Sequence, residues 1–428
     1  MLAALAPVCA LLLSVAVLQM GNGLQGTLLP VRASIEAFPT LAIGILGSSY
    51  FLGFTGGCIL GPRAVRRVGH IRAFTAMVSI ASTTALVHAL MPNPVVWWLL
   101  RALTGFCFAA LYMIVESWLN ERSTNGTRGL VFSVYYIINL SALTVGQMTI
   151  NFDHPGSFTL FSLASILVSV ALVPVAMSTA PAPAPLCEAR LRVRRLWQMS
   201  PVGFAGCFFV GLVNGSFWAL GPVFAQERGM NISGVALFMS GTLIAGALGQ
   251  WPLGRASDKM DRRKVISGAC VAGALAGLAA AFLTGPGQGG IFLTSFLFGA
   301  FAFPLYALCV AHTNDFVAPQ EYVEAASGLL LVYGLGAVIG PTVASGLMAE
   351  LGPHALFAFT AFVHATLALF ALQRMWMRTR PPEKERAEFS SMLAAPTVSP
   401  IDPAAASGGR EQGSIPVSSA SPASQQPA

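Results

Sequence analysis

The sequence predicts an all-α membrane protein: twelve transmembrane helices forming two six-helix bundles related by a parallel repeat. Three observations predict it. Apolar residues make up 55% of the 428 residues and charged residues only 10%, whereas a soluble domain carries roughly 25% charged residues. Twelve mostly apolar runs each approach the roughly 20 residues that a helix needs to cross the hydrocarbon core. The second half of the chain also repeats the first at a nearly constant offset.

A chain this poor in charge cannot cover a water-facing surface, and lipid removes the difficulty. The apolar runs are residues 7–29, 40–61, 71–90, 95–119, 129–150, 158–178, 201–225, 232–254, 264–284, 290–313, 324–348 and 354–376. Pro, Gly and charged residues cluster between them. Met1 to Pro7 carry no Lys or Arg and no small-residue cleavage site follows. The first run therefore reads as a retained helix, not a removed signal peptide.

Charge placement supports the even count and sets the orientation. With the N-terminus in the cytoplasm, 21 of the 24 basic residues fall on inner loops or the C-terminal tail. They include Arg63, Arg66, Arg67 and Arg72, then Arg122 and Arg128, then Arg190 to Arg195, then Arg255 to Lys264. Only Arg32 and Arg228 fall in outer loops, and Arg101 lies near the outer end of helix 4. The positive-inside rule then puts both termini in the cytoplasm of a multi-pass inner-membrane protein. It also accounts for the net charge of +7 without a nucleic-acid partner.

The seven cysteines are scattered, with no CxxC pair and no Cys/His cluster, so neither a zinc site nor a disulfide framework is indicated. No nucleophile–base pair or phosphate loop points to an enzyme, and no cofactor is indicated. The expected division is an N-terminal bundle over 1–178, a cytoplasmic linker over 179–200, a C-terminal bundle over 201–378 and a tail over 379–428. The linker opens with Pro-Ala-Pro-Ala-Pro at 181–185, which reads as extended. Arg190 to Trp197 read as a basic helix on the cytoplasmic leaflet. The tail is rich in Pro, Ser, Ala and Gly, a composition that predicts disorder.

At an offset of 192, Asn22 superposes on Asn214, Gly23 on Gly215, Pro30 on Pro222, Gly57 on Gly249 and Arg67 on Lys259. At 194, Gly105 superposes on Gly299, Tyr112 on Tyr306 and Asn120 on Asn314. Six helices per repeat give both halves the same orientation, with a substrate site expected between them near the midplane. Helices 1 and 7 carry the clearest polar positions. Gln19, Asn22 and Gln25 recur every third residue, drifting about 60° at each step. Asn214, Ser216 and Trp218 are their helix 7 counterparts, and Tyr112, Tyr136, Asn139, Tyr306 and Tyr333 add amphipathic walls. Amides in lipid need partners or a wet cavity, so each can serve either the cavity or helix–helix bonding. Amides and aromatics suit a neutral or amphiphilic organic solute.

Helix 8 ends in Gly254-Arg-Ala-Ser-Asp258-Lys259-Met-Asp261-Arg262-Arg263. This resembles the loop signature of the major facilitator superfamily, with Asp261 where Gly is usual. The resemblance covers residues 1–378 and implies a twelve-helix transporter working by alternating access. The first-half copy has Arg66 where that family has Asp. The loop after helix 10 holds the acids Asp315, Glu321 and Glu324. A charge swap is therefore expected at a cytoplasmic gate. Arg63, Arg66 and Arg67 would meet those acids, and Asp258 and Asp261 would meet Arg122 and Arg128; solvated loop charges are the alternative. Asp258 is expected at the N-terminus of a neighbouring helix, where a carboxylate is favoured.

Helix 4 carries Arg101-Ala-Leu-Thr-Gly105-Phe-Cys-Phe-Ala109, which resembles a pattern that the family associates with proton coupling. Arg101 either faces the cavity or snorkels to the outer headgroups. Glu116, about 22 Å further along the axis, is either a proton carrier or a structural partner for cytoplasmic arginines. Helix 5 lacks the family's antiport pattern, and a similar Gly340-Pro341 stands in helix 11. The expected function is secondary active transport of a small organic solute, proton-coupled, by a monomer in the bilayer. The alternatives are an uncoupled facilitator or exchanger, and a transport-derived receptor or scaffold.

Overall fold

A computed structural model describes residues 8–124, 126–177, 193–283, 288–317 and 321–377. The tail and the Pro-Ala part of the linker lie outside the described residues. Among the described residues, twelve helices are long and apolar enough to cross a membrane. They are α1 (Cys9–Ile35), α2 (Thr40–Val68), α3 (His70–Leu90), α4 (Pro94–Arg122), α5 (Arg128–Phe152) and α6 (Thr159–Ala176). The second set is α7 (Pro201–Glu227), α8 (Ile232–Lys259), α9 (Arg262–Leu283), α10 (Gln288–Asn314), α11 (Glu324–Leu351) and α12 (Ala355–Met377).

All twelve expected spans are present, but several run past their expected ends. Helix α2 continues through Pro62 and the three arginines to Val68, and stops at Gly69, whose φ of 84° no β-carbon favours. Helix α8 continues through Arg255 and Asp258 to Lys259. The basic signature is therefore mostly helix, not turn. Charge marks where a helix leaves the apolar slab; it does not break the hydrogen-bond ladder, which needs Gly, Pro or a capping residue to end it. The capping carboxylate belongs to Asp261, not to the expected Asp258: it accepts the Arg263 amide and begins α9.

The packing repeats as the sequence does. In the first bundle α1 lies on α5 and α6, α2 on α4, and α3 on α4 and α6. In the second, α7 lies on α11 and α12, α8 on α10, and α9 on α10 and α12. Close approach at glycine makes two of these pairs equivalent in detail. Gly105 abuts the Tyr50 backbone and its counterpart Gly299 abuts Thr242; Gly57 abuts Phe106 and Ala109 while Gly249 abuts Ala300. Each contact leaves no room for a β-carbon. The bundles meet chiefly along α2 with α11, α5 with α8, and α7 with α1 and α2.

Of the basic helix expected over Arg190 to Trp197, the described part is the short helix Val193–Met199. It docks on the second bundle, with Leu196 buried beside Val317 and Ala325. Trp197 stands edge-on to Phe204 at 5.6 Å, and the Arg374 guanidinium lies 5.7 Å from its ring. Leu196 is the buried apolar anchor of this contact, while Trp197 stays 40% exposed.

Candidate functional site

Where the bundles meet, the side chains enclose two adjoining lobes of about 190 and 250 Å³. Gln19, Tyr112, Leu143, Trp218 and Tyr333 line both. Helical spacing puts these groups on one wall each. On α4, Arg101 and Tyr112 are separated by about three turns, and Glu116 follows one turn later. On α5, Asn139, Leu143 and Gln147 recur every fourth residue; on α7, so do Asn214 and Trp218. In the second bundle, Tyr306 and Tyr333 meet edge-to-face at 5.1 Å and Trp218 stacks on Phe303 at 5.6 Å.

Hydrogen bonds hold the first-half wall. The Gln19 amide donates to Asn139 Oδ1 at 2.7 Å, and the Tyr112 hydroxyl donates to Gln19 Oε1 at 2.6 Å. Asn22 Nδ2 donates to the Tyr112 oxygen at 3.1 Å. The Tyr135 hydroxyl donates to Glu116 Oε1 at 3.2 Å, and Glu116 is 2% exposed. Two bonds cross between the bundles here: Gln250 donates to the Tyr136 hydroxyl at 3.1 Å, and the Ser240 hydroxyl donates to Gln147 Oε1 at 3.0 Å.

Three buried polar atoms on the wall have no protein partner: Arg101 Nη1, Thr55 Oγ1 and Asn214 Oδ1. Buried groups of this kind are normally satisfied, so water or a ligand belongs there. Arg101 lines the second lobe. It is 9% exposed and its guanidinium sits 4.3 Å from the centre of the Tyr50 ring.

Ten of the eleven cavity candidates, and Glu116, line the two lobes: Gln19, Asn22, Arg101, Tyr112, Tyr136, Asn139, Asn214, Trp218, Tyr306 and Tyr333. Gln25 lines neither lobe. The drift of the three-residue series carries it off the face, and it is buried with both amide atoms unpartnered. Ser216 bonds its own helix at Leu212. Tyr50, Gln147, Gln250 and Phe303 line the cavity without having been singled out from the sequence. A signal existed for Tyr50: six of the chain's seven tyrosines face this space.

At the basic end of the bundle two of the expected acids, Asp261 and Glu321, take partners other than those of the expected charge swap. Asp315 pairs with Arg262 at 2.9 Å, both buried, and Arg262 also approaches Asp258 at 3.4 Å. Asp261 pairs with Arg263 at 2.8 Å. Glu321 pairs with Arg195 of the linker helix, not with an arginine of the first bundle. These partners share a turn or a bundle, so pairing them orders less chain. Arg63 donates to Ile59 within its own helix. Arg66 and Arg67 end α2, Arg122 and Arg128 flank the α4–α5 turn, and Glu324 opens α11.

Two like-oriented six-helix bundles around a shared polar cavity define a polytopic membrane carrier. The sequence profile of the Major Facilitator Superfamily matches residues 11–329 and again 203–406, and the chain belongs to that family of transporters. An uncharacterised MFS-type transporter of an Enterobacter strain is 26% identical over 376 residues, spanning 86% of this chain and 96% of that one. The uncharacterised MFS-type transporter YcaD of Escherichia fergusonii is 26% identical over 381 residues, 88% of this chain and 97% of that one. Among solved structures, the nucleoside transporter NupG superposes with a TM-score of 0.73 at 13% identity, covering 87% of this chain and 100% of that one. The Escherichia coli fucose:proton symporter FucP superposes at 0.54 and 14% identity, over 87% and 99%. These likenesses show the fold.

Proposed function

We propose that this transporter carries a small organic solute by alternating access and couples it to protons. The observation that carries the reading is the cavity itself: both bundles line it, and among the described residues it holds one carboxylate, Glu116, hydrogen-bonded and 2% exposed. A carboxylate there can bind and release a proton as the bundles rock. The fucose:proton symporter of similar fold is compatible with this chemistry. Residues 1–178 and 201–378 are the two rocking bundles in this reading, joined by the linker 179–200 and followed by the tail 379–428. The Arg63–Arg67 end faces the cytoplasm of an inner membrane, as do both termini, and the working unit is a monomer.

The cytoplasmic gate comprises the basic ends of α2, α4 and α5 against Asp258, Asp261 and the 315–324 segment. The pairs Arg262–Asp315 and Arg195–Glu321 brace the second bundle's side of it. Metabolite comparison of cells with and without the protein identifies the solute. Proteoliposome uptake of that solute, with and without a pH gradient, then tests coupling. Accumulation that collapses with the gradient is expected. Accumulation indifferent to the gradient would falsify proton coupling, and equilibration without accumulation would identify a facilitator.

A further inference from the structure

We infer that the carried solute is a small organic monoanion, a carboxylate on an apolar or aromatic body, with its carboxylate on Arg101. This deepens the transport reading above and rests on it.

Among the described residues, Arg101 is the only basic residue lining either lobe, and Glu116 is the only acid. Fifteen residues of one helix keep the two about 22 Å apart, so neither neutralises the other directly. Among the described residues no carboxylate pairs with Arg101. A guanidinium held in the membrane without a counter-ion is costly and needs a function. Its guanidinium carbon lies 4.3 Å from the centre of the Tyr50 ring, a contact that uses none of its N–H groups as a hydrogen-bond donor to a carboxylate. Nη1 remains without an acceptor, and a guanidinium edge matches a carboxylate with two parallel hydrogen bonds. Thr55 Oγ1, on the same lobe and equally without a partner, supplies one further donor.

The rest of the lobe describes the body of the solute. Phe51, Phe54, Leu143, Trp218, Leu330 and Leu331 wall it. Asn214 Oδ1, unpartnered in the adjoining lobe, can accept one hydrogen bond from the distal end of the solute. One fixed positive charge matches one negative charge. A dianion would leave its second charge against apolar walls, and a cation would face Arg101 directly.

The test uses the purified full-length protein in detergent at pH 7.5. The probes are benzoate, 3-phenylpropionate and nicotinate, set against the neutral benzamide and nicotinamide, the dianion phthalate and the cation benzylamine. Thermal unfolding and calorimetric titration read binding to the wild type, Arg101→Gln and Arg101→Lys. At least one monocarboxylate should raise the melting temperature by several degrees while its amide, the dianion and the cation do not. Arg101→Gln should weaken that binding at least about thirtyfold, the loss expected when one partner of a buried charge pair is removed. Arg101→Lys, which keeps the charge and loses the fork, should fall between. The proposal is overturned if no monocarboxylate binds, if an amide, the dianion or the amine binds as well as the monocarboxylates, or if either variant, eluting as a monodisperse peak, keeps wild-type affinity.

A second arm separates this proposal from the transport reading. Proteoliposomes are loaded with a mixed pool of neutral, anionic and cationic metabolites and assayed for counterflow. Movement of neutral or cationic solutes alone overturns the monoanion and leaves transport standing. Movement of no solute of any class overturns transport.

Discussion

Ser48 of α2 and Thr342 of α11 meet hydroxyl to hydroxyl at 2.8 Å, tying the two bundles together across their main interface. One turn earlier Gly44 packs against Pro341 and Ser345, with no room for a side chain. Asn151 and Ser233 add a second cross-bundle bond of 2.7 Å, and Gln147 and Ser240 a third of 3.0 Å. All three ties lie toward the end of the bundle opposite the basic ends of α2 and α8. Gly47 of α2 packs against Ala219 of α7 beside the first of them. A carrier that rocks about a central cavity must break such ties in each cycle.

Replacing Ser48 and Thr342 by cysteine should therefore lock the carrier. Oxidation of the double variant should abolish solute exchange in proteoliposomes, and dithiothreitol should restore it. Each single cysteine should keep exchange within about threefold, since a lost hydroxyl bond costs only about 1 kcal/mol. Full exchange by the oxidised double variant, with the disulfide verified by mass spectrometry, would mean that this contact need not open.

Gly105 and Gly299 are equivalent points where helices touch backbone to backbone. Gly105→Val should push α4 off α2, costing more than the 1–3 kcal/mol of ordinary overpacking because backbone cannot yield as a side chain can. Gly299→Val should do the same to α10 and α8. Gly56→Ala, where a β-carbon meets nothing within 4 Å, is the matched control and should melt within a degree or two of wild type. Melting curves in detergent check the contrast.

These glycines also mark what the sequence makes legible. Gly57 with Gly249 and Gly105 with Gly299 emerge from the offset repeat because a parallel repeat keeps close-approach positions in both copies. The same logic finds Asn22 and Asn214. Tyr50, Gln147 and Gln250 escape it, since a single polar residue in an apolar helix does not announce which face looks inward until its neighbours are packed. The ends of α2 and α8 escape for another reason: arginine is a good helix former, so a basic cluster outside the lipid looks like a loop while the helix runs on. The pairs Arg195–Glu321 and Arg262–Asp315 join residues 126 and 53 positions apart, and only the folded chain chooses among so many possible partners.

The linker helix offers a test of burial against charge. Arg195 and Glu321 are both partly exposed, so Arg195→Ala should cost about 0–1 kcal/mol and leave transport close to wild type. Leu196 is buried against Val317, Ala325 and Gly328. Leu196→Asp should release the helix and make the linker markedly more sensitive to limited proteolysis. Equal protease sensitivity in the two variants would show that the docking rests on the ion pair instead.

Asp261 sets an acid limit on the basic end. Burial pushes its carboxyl pKa up, but the hydrogen bonds and charge of Arg263, with His312 nearby, outweigh burial and hold it below the usual carboxylate value. Its stabilising contribution is therefore present above the unfolded value of about 3.9. It is lost as pH falls through the lower folded value. Asp261→Asn keeps a good helix cap and loses the charge. The wild type should melt above this variant by a constant margin from pH 7 to about pH 5, and the margin should close as the pH drops toward 3. A margin that does not depend on pH would mean that the Arg263 pairing does not contribute.

Glu116 distinguishes a proton carrier from a structural acid. Its Oε1 accepts from the Tyr135 hydroxyl, and an amide oxygen at the same place can accept that bond equally well. Glu116→Gln therefore keeps the shape and the Tyr135 hydrogen bond and removes the ionisable carboxyl group. If Glu116 carries the coupled proton, this variant should retain solute counterflow within about threefold while losing accumulation driven by a pH gradient. Tyr135→Phe, which removes the donor and leaves the carboxylate, should keep gradient-driven accumulation but shift its pH dependence. If Glu116→Gln accumulates solute like wild type, Glu116 is not the proton carrier. If it unfolds, or loses counterflow and accumulation together while Tyr135→Phe leaves the pH profile unmoved, the carboxylate is structural.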